Sequence, residues 1–325
     1  MSSSDRTTTA SIIVVTRNNA DLLREALESI LADTSRVPRE LIVVDNGSTD
    51  RTADIVAHAA VMASLPVTHL AEPRVGLSRG RNAGVAAAHG EVLLFTDDDV
   101  LVEDGWADAL VAPFADPSVA VVGGRTLPVW PAPPPHWLEG PQRGRLELLD
   151  LGDEDRFLDD PAESPVGANV AIRASVLSEL EGPFDVSLGN TGNRRFGREE
   201  AVVIRRLRES HRVAYAAGAV VQHRIRPERM TLHWLRGTYF DMGAGFLRAD
   251  LLTATADLPS WPRRVVRALR ICLTVRRMRD GSPDSERTAA TTTEELQGYF
   301  WAGRHVEMVL GRFPRLAGKV RDAVS

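Results

Sequence analysis

The sequence predicts a three-layer α/β/α fold in which helices cover both faces of a mostly parallel sheet. Short apolar runs alternate with segments of helical periodicity along the first hundred residues, and this alternation is typical of βαβ units. The apolar runs lack strict polar alternation, which indicates strands that are buried on both faces. From about residue 231 the pattern becomes helical, so we expect a helical C-terminal extension.

Each element of this fold follows from a local pattern. β-Branched and aliphatic runs predict strands at residues 11–16, 40–45, 67–72 and 91–97. Apolar residues that recur every three or four positions predict helices at 21–31, 52–61 and 76–90. We therefore expect a flexible N-terminus (1–10), an α/β domain (11–230, with halves 11–125 and 126–230) and a helical extension (231–325). A polar segment at 279–295 predicts a mobile linker inside the extension.

Composition narrows the class of protein. The net charge of −5 argues against a nucleic-acid binder, which usually carries a basic excess. Cys272 is the single cysteine, so no intrachain disulfide forms and a reducing compartment suits the chain. The first ten residues lack the pattern of a secretory signal, and no apolar stretch approaches the ~20 residues that cross a bilayer. We expect a cytoplasmic protein, with contact to a membrane surface left open.

Polar clusters follow three of the predicted strands at the point where each strand ends. They are Thr-Arg-Asn at 16–18, Asp-Asn-Gly at 45–47 and three consecutive aspartates at 97–99. In parallel sheets the carboxyl ends of the strands share one edge, and ligands bind beyond that edge. The sequence therefore predicts one shared site that contains all three clusters.

The three aspartates allow several interpretations. They could form a solvated turn, which is a common role for adjacent acids. An EF-hand is excluded because Leu101 and Val102 stand where a ligand and a glycine are required. The G-x-G-x-x-G of a dinucleotide fold and the glycine-rich loop of a nucleotidyltransferase are both absent after the first strand. The other candidate is a divalent cation that carries a diphosphate.

Six segments in this order resemble the family 2 glycosyltransferases: VVTRN, IVVDNGSTD, GRNAG, LLFTDDDV, GANVAIR and FGREEAVVIRRL. The resemblance extends over roughly residues 10–240 and rests on the order and spacing of the motifs. It implies the GT-A fold, with a donor-binding first half and an acceptor-binding second half. It further implies that a sugar passes from a nucleotide donor to an acceptor hydroxyl or amine, with inversion and with Mg²⁺ or Mn²⁺.

The resemblance also implies roles for residues on the donor side. Asp99 corresponds to the metal ligand of the D-x-D motif, with Asp98 as the alternative ligand because all three residues are acids. His223 corresponds to a histidine that binds metal in some relatives. The implied contacts to the donor nucleotide or its sugar are Thr16, Arg17, Asp45, Arg81, Asp97 and Asp98. Other interpretations stay open: an Asx-turn for Asp45, a helix-surface arginine for Arg81, and a structural histidine for His223.

The acceptor side is implied by a second pair of acids. Glu200 matches the family's catalytic aspartate, which takes the proton of the acceptor hydroxyl, and Glu199 could share or replace that role. Both acids would also be favoured at a helix N-terminus simply as caps. Asn169 is the expected contact to a sugar, with a turn-forming role as the alternative. Trp137 would stack on the acceptor, or else anchor its proline-rich loop.

The segment 261–279 contains seven arginines and no acid, with Val266, Leu269 and Leu273 on one helical face. We expect this face to pack on the catalytic domain, with contact to an anionic membrane as the alternative. The expected donor is a UDP-sugar, although Asp45 could face uracil, guanine or thymine. The acceptor is a sugar, a lipid-linked molecule or a natural product, and the sequence leaves the oligomeric state open. The rival functions are a non-catalytic nucleotide- or glycan-binding module and a sugar nucleotidyltransferase.

Overall fold

The computed structural model of the chain describes residues 9–138, 140–180, 182–192, 194–252, 261–279, 288–310 and 314–324. The strands in these ranges are β1 (Ala10–Thr16), β2 (Arg39–Asp45), β3 (Val67–Ala71), β4 (Val92–Asp97), β5 (Val100–Val102), β6 (Val119–Val129), β7 (Arg156–Phe157), β8 (Asn169–Arg173) and β9 (Arg212–Arg224).

Helices follow most of these strands along the chain. They are α1 (Ala20–Ala32), α2 (Thr52–Met62), α3 (Leu77–Ala87), α4 (Trp106–Val111), α5 (Ala174–Ser178), α6 (Glu199–Arg208), α7 (Leu232–Leu252), α8 (Trp261–Arg279), α9 (Ala289–Leu310) and α10 (Pro314–Val324). Short 3₁₀ helices occur at Ala112–Ala115, Gly140–Leu146 and Pro227–Met230.

The strands form one mixed sheet with the order β3-β2-β1-β4-β8-β6-β9-β5, and β7 pairs with β9. Strands β1 to β4 are mutually parallel where they pair, as the sequence predicts. Beyond β4 the sheet is mixed, because β8 runs antiparallel to both β4 and β6. Since β6 runs parallel to β9, the carboxyl ends of β4, β6 and β9 face the same edge.

Alternate residues of the central strands enter two separate hydrophobic clusters. Ile12 and Val14 of β1 pack with Leu23 and Leu27 of α1, whereas Ile13 packs into a second cluster that contains helix α6 residues. The strands are therefore buried on both faces, and each buried leucine or isoleucine contributes about 2 kcal/mol. This two-sided burial confirms the predicted layered α/β fold.

The chain divides into two compact units. The first consists of residues 1–129, 147–186 and 199–224, and it holds the sheet with α1 to α6. The second consists of residues 130–146, 187–198 and 225–325, and it holds α7 to α10. The first unit is discontinuous in sequence, which differs from the single predicted boundary at residue 230.

Two predicted flexible segments are only partly described. Residues 1–8 and 280–287 lie outside the described residues, so the mobility predicted for them stays a prediction. At the margins of these segments the chain is regular, because Ala10 begins β1 and Ala289 begins α9. The predicted linker at 279–295 is therefore too long, since its last seven residues are helical.

Helices α7 and α9 of the second unit pack at very short range. A Cβ atom at Gly243 would lie 1.8 Å from the Phe300 carbonyl oxygen. A Cβ atom at Gly303 would lie 1.7 Å from the Phe240 carbonyl oxygen. Both glycines are required because any side chain there would meet backbone atoms, which cannot turn aside.

The face of α8 that the sequence predicted to be packed is exposed. Val266, Leu269 and Leu273 are 50%, 60% and 59% exposed, whereas Ala268 and Val275 are buried where α8 packs against α9. Within the second unit, α8 thus packs through Ala268 and Val275 and not through the leucine face. Among the described helices, none is long and apolar enough to cross a membrane.

We expect Gly243→Ala to destabilise the protein. Overpacking a close contact costs about 1–3 kcal/mol, which exceeds the gain of about 1 kcal/mol from the helix propensity of alanine. The matched control is Gly237→Ala in the same helix, where a Cβ atom meets nothing within 4 Å. Thermal unfolding should show a lower Tm for the first variant and an equal or higher Tm for the control. Equal Tm values for the two variants would contradict the close packing.

Candidate active site

The parallel register of β1, β2 and β4 brings the three predicted polar clusters to one edge of the sheet. Thr16 pairs with Asp45 across β1 and β2, and Val15 pairs with Asp97 across β1 and β4. The strands therefore end within one residue of each other. The shared edge predicted from the sequence is confirmed.

Asp98 is fixed by two side chains that follow β1. The Thr16 hydroxyl donates to Oδ2 of Asp98 at 2.6 Å, and Nδ2 of Asn19 donates to Oδ1 at 2.8 Å. Burial and then the neighbouring charge of Asp99 raise the pKa of Asp98 to about 7, despite these hydrogen bonds. Asp98 thus ties the turn after β4 to the loop after β1.

Asp99 and His223 meet because β5 and β9 are antiparallel. Val100 is paired with His223, and the Arg224 amide donates to the Asp99 carbonyl at 2.9 Å. This register places Nε2 of His223 3.4 Å from Oδ1 of Asp99. Both side chains are almost fully buried, with exposures of 0% and 4%. A carboxylate and an imidazole are thereby held side by side.

The buried guanidinium of Arg81 faces three carboxylates. Its Nη1 lies 2.8 Å from Oε1 of Glu199 and 3.5 Å from Oε2 of Glu200, and its Nη2 lies 3.7 Å from Oδ1 of Asp97. Helix α6 begins at Glu199, so the two glutamates form its first turn, where acids are favoured. Gly167 leaves room for the cation, since a Cβ atom there would lie 2.5 Å from Nη2 of Arg81.

One cation cannot neutralise three carboxylates, and the pKa values of Glu199 and Asp97 reflect this. Burial, followed by the charge of Glu200, raises the pKa of Glu199 to about 8 and outweighs the attraction of Arg81. Burial, followed by the charge of Glu147, raises the pKa of Asp97 to about 7. Glu200 is more accessible to solvent than Glu199: 19% of the Glu200 side chain is exposed, against 1% of the Glu199 side chain.

The acids at this edge suit a divalent cation. Asp99 and His223 offer one carboxylate and one imidazole, a donor set compatible with Mn²⁺ or Mg²⁺. In the part of the chain that the structure describes, no group of three or more His, Cys, Asp or Glu side chains could enclose a metal. If Asp99 and His223 held a metal, they would leave coordination positions for phosphate oxygens and water.

The two remaining donor-side residues are at the same edge. Oδ1 of Asp45 accepts the Ser48 amide at 2.8 Å, which is the Asx-turn that the sequence allowed. Its Oδ2 lies 3.8 Å from Nε2 of His69, and 15% of the side chain is exposed. Arg17 is exposed directly after β1. Both positions are compatible with a nucleotide contact, which stays a prediction.

The two acceptor-side residues predicted from the sequence are buried. Asn169 is 0% exposed: its amide donates to the carbonyls of Arg125 and Ala219 at 3.0 and 2.8 Å and accepts the Trp106 indole N–H at 2.9 Å. Its amide is thus used to join strands of the sheet, and the structure does not support an acceptor contact. Trp137, in the second unit, is 6% exposed, which favours the anchoring role.

Sequence reasoning missed Glu147, which belongs to the first unit. Its backbone is in the left-handed region at φ +57°, which is uncommon for a residue other than glycine. Its charge contributes to the raised pKa values of Asp97 and Glu199. No sequence signal marks it, because it lies in an irregular stretch rich in acids. Asn19 was missed as well, although it directly follows the Thr-Arg-Asn cluster.

Residues 11–181 match the profile of the protein family described as glycosyl transferase family 2. The match covers more than half of the chain, so the chain belongs to glycosyl transferase family 2. It ends before Glu199, Glu200 and His223. An N-acetylglucosaminyltransferase of Bradyrhizobium diazoefficiens is 25% identical over 249 residues, which are 71% of this chain and 48% of that protein. The chain spans less than two thirds of the length of the curated relatives it matches.

Solved structures identify the fold. A mannosyltransferase of Pyrobaculum calidifontis in complex with GDP-Man and Mn²⁺ has a TM-score of 0.58 at 16% identity, over 98% of this chain and 88% of that one. GalNAc-T7 with UDP, GalNAc and Mn²⁺ has a TM-score of 0.56 at 17% identity, over 90% of this chain and 55% of that one. At these identities the likeness concerns the fold alone, and it confirms the expected GT-A fold.

We expect Glu199→Gln to change how stability depends on pH. The pKa of Glu199 rises from its usual value near 4.5 in the unfolded chain to about 8 in the folded protein. Folding therefore takes up a proton between these values, and the stability contributed by Glu199 is lost as pH rises toward 8. Between pH 5 and 9, unfolding by urea should show the wild type losing on the order of 4 kcal/mol relative to the variant.

The control for this measurement is Glu209→Gln, because Glu209 is exposed just after α6. That variant should follow the wild type at every pH. A difference between wild type and Glu199→Gln that is constant from pH 5 to 9 would contradict the raised pKa.

Proposed function

We propose that the chain is a metal-dependent, inverting glycosyltransferase. It moves a sugar from a nucleoside-diphosphate donor to an acceptor hydroxyl or amine. The observation that carries the proposal is the Arg81 cluster, in which one guanidinium joins Asp97 at the end of β4 to Glu199 and Glu200 at the start of α6. Donor-side and acceptor-side acids of the family pattern are thus held within one network.

Glu200 is the proposed general base. Its carboxylate is partly exposed, whereas Glu199 is fully buried and hydrogen-bonded to Arg81. Glu200 removes the proton of the acceptor hydroxyl while the acceptor oxygen bonds to the sugar C1. The bond from C1 to the diphosphate breaks on the opposite face, so the configuration inverts. Glu199 orients Arg81 and keeps Glu200 beside it.

Asp99 and His223 are the residues that would hold the metal, and the metal, when bound, neutralises the charge of the departing diphosphate. Their mutual position follows from the β5–β9 register and from the hydrogen bond that the Arg224 amide donates to the Asp99 carbonyl. Asp97, Arg81, Thr16, Arg17 and Asp45 would contact the donor. Asp98 acts through Thr16 and Asn19 and positions the turn that carries its two neighbours.

A UDP-sugar is the proposed donor, and a sugar, lipid-linked molecule or natural product is the proposed acceptor. The fold relatives were solved with UDP in one case and with GDP-Man in the other, so both nucleotides belong in the test. A non-catalytic binding module is less well supported, because pure binding requires no accessible carboxylate beside a buried arginine. The nucleotidyltransferase alternative lacks its glycine-rich loop.

The test has a binding arm and a turnover arm. Thermal stabilisation by UDP, GDP and dTDP is measured with and without Mn²⁺ or Mg²⁺, since a ligand that binds the native state raises the Tm. The preferred nucleotide then selects the sugar donors for assays of donor hydrolysis and transfer. We expect Asp99→Asn to lose the metal-dependent Tm shift. We expect Glu200→Gln to keep that shift and to lose about 10²–10⁴-fold in kcat.

Matched controls are Asp54→Asn and Glu209→Gln, because both acids are exposed: Asp54 lies on α2, and Glu209 follows the end of α6 that is opposite the cluster. These variants should keep both the shift and the turnover. Full turnover in Glu200→Gln would remove the proposed base. A nucleotide-dependent shift without donor hydrolysis or transfer in the wild type would favour the binding module.

We further propose that α8 contacts an anionic membrane surface, while the cytoplasmic location stays a prediction. Val266, Leu269 and Leu273 are exposed on one face, and the flanking Arg263, Arg267 and Arg270 are exposed as well. The segment 261–279 contains no acid. Pairing α8 with the α8 of a second copy would bring two rows of arginines together, so charge favours anionic lipid over that pairing, at about 1 kcal/mol for each arginine near the surface.

Co-sedimentation with vesicles tests this contact. The protein should bind vesicles that contain phosphatidylglycerol and not vesicles of phosphatidylcholine alone, and Leu269→Asp/Leu273→Asp should abolish binding. Val61→Asp is the control, because Val61 is an exposed valine of α2. Binding that survives the double variant would disprove the contact. A dimer that the double variant dissociates would instead identify a second copy as the partner.

A further inference from the structure

The second unit contains a polar pocket that involves none of the proposed catalytic residues. Its volume is about 210 Å³. It lies at the start of α7, beside α10 and the segment 187–198 of the same unit. It is lined by Gly192, Arg195, His233, Trp234, Gly237, Arg321 and Asp322.

Arg195 is the distinctive residue of this pocket. Its guanidinium lies over the Trp234 ring, 5.3 Å from the centroid. Within the described residues, no carboxylate oxygen lies within 4 Å of this guanidinium. Arg195 is exposed at the pocket. Partial burial still lowers the pKa of Arg195; the cations of Arg321 and Arg229 add to this effect, and the carboxylates of Asp241 and Glu228 oppose it. An anion placed beside Arg195 would offset this unfavourable environment.

Arg321 supplies a second guanidinium that is held in place. Its Nη1 lies 2.9 Å from Oδ2 of the buried Asp241, and its Nη2 lies 2.7 Å from Oδ1 of Asp322. Asp241 is 0% exposed and also pairs with Arg194, so its carboxylate stays outside the pocket and holds the Arg321 guanidinium in place. Asp322 is 65% exposed in its side chain, and it is the acid that lines the pocket.

The start of α7 adds to the positive potential. Residues 232–235 form the first turn of a 21-residue helix, and the Trp234 amide donates to the Thr231 hydroxyl at 3.2 Å. The N-terminal end of a helix favours negative charge. One turn further, Gly237 leaves open space where a side chain would stand. The wall of the pocket is therefore backbone at this point.

We infer that this pocket binds a phosphate-bearing anion, either a phosphomonoester or a diphosphate. The planar forks of two arginines match phosphate oxygens, and the volume admits a small anion rather than a protein segment. One face of Trp234 is covered by Arg195, which leaves less of the ring for stacking on a neutral sugar. This inference goes beyond the proposed function, since it requires neither the metal ligands nor the base.

Calorimetric titration of the full chain with inorganic phosphate and pyrophosphate tests the inference. EDTA is present throughout, so that no divalent metal carries the anion to the acids of the first unit. Loss of a charge-assisted contact predicts that Arg195→Gln weakens binding by about tenfold or more. Asp322→Asn should strengthen binding, because it removes the acid from the lining. Gly237→Leu should block binding by filling the pocket.

Arg24→Gln is the matched control, because Arg24 is an exposed arginine on α1; it should bind as the wild type does. Equal binding by Arg195→Gln and wild type would overturn the inference, as would binding of methyl glucoside but not of either anion. The melting curve of each variant checks its folding.

Vesicles of phosphatidylcholine with phosphatidic acid distinguish the sources of the phosphate, using Leu269→Asp/Leu273→Asp as the background. Binding that requires Arg195 would identify a lipid headgroup. Binding of soluble phosphate alone would identify a soluble phosphorylated molecule. Either result supports the inferred phosphate site of the second unit.

Discussion

The sharing of one buried guanidinium among three carboxylates is the interaction on which the rest of the site depends. Arg81 lies on α3, Asp97 ends β4, and Glu199 and Glu200 begin α6, so a single cation joins three elements that are distant in sequence. Removing it would leave uncompensated charge in the interior, which costs several kcal/mol. The excess of acids also explains why this edge of the sheet favours a cation or a proton.

The sheet supplies the frame for that interaction. Parallel pairing of β1 with β2 and β4 brings their ends together, and antiparallel pairing of β5 with β9 brings His223 to Asp99. Helix α3 can approach β1 closely because Gly80 and Gly84 face Val15 and Ile13. The positions of the proposed donor and metal residues are thus consequences of strand register and close backbone packing.

Much of this could be predicted from the sequence, and the limits have physical reasons. Apolar runs ending in polar clusters were enough to predict one edge with Thr16, Asp45 and Asp97. Burial was the main source of error: the amide of Asn169 is satisfied inside the sheet, and α8 packs through its small residues. Contacts between residues far apart in the sequence, such as Arg81 with Glu199, leave no local pattern from which they could be predicted. Glu147 was missed for the same reason.

The pairing of β5 with β9 has a consequence for the order in which the protein matures. His223 belongs to the last strand of the sheet, and more than a hundred residues separate it from Asp99 in the chain. During synthesis, the first four strands and their aspartates can form well before the ribosome releases β9. The proposed metal ligands therefore meet only when β9 joins the sheet. Until then the nascent chain has the aspartates at the sheet edge without His223 beside them.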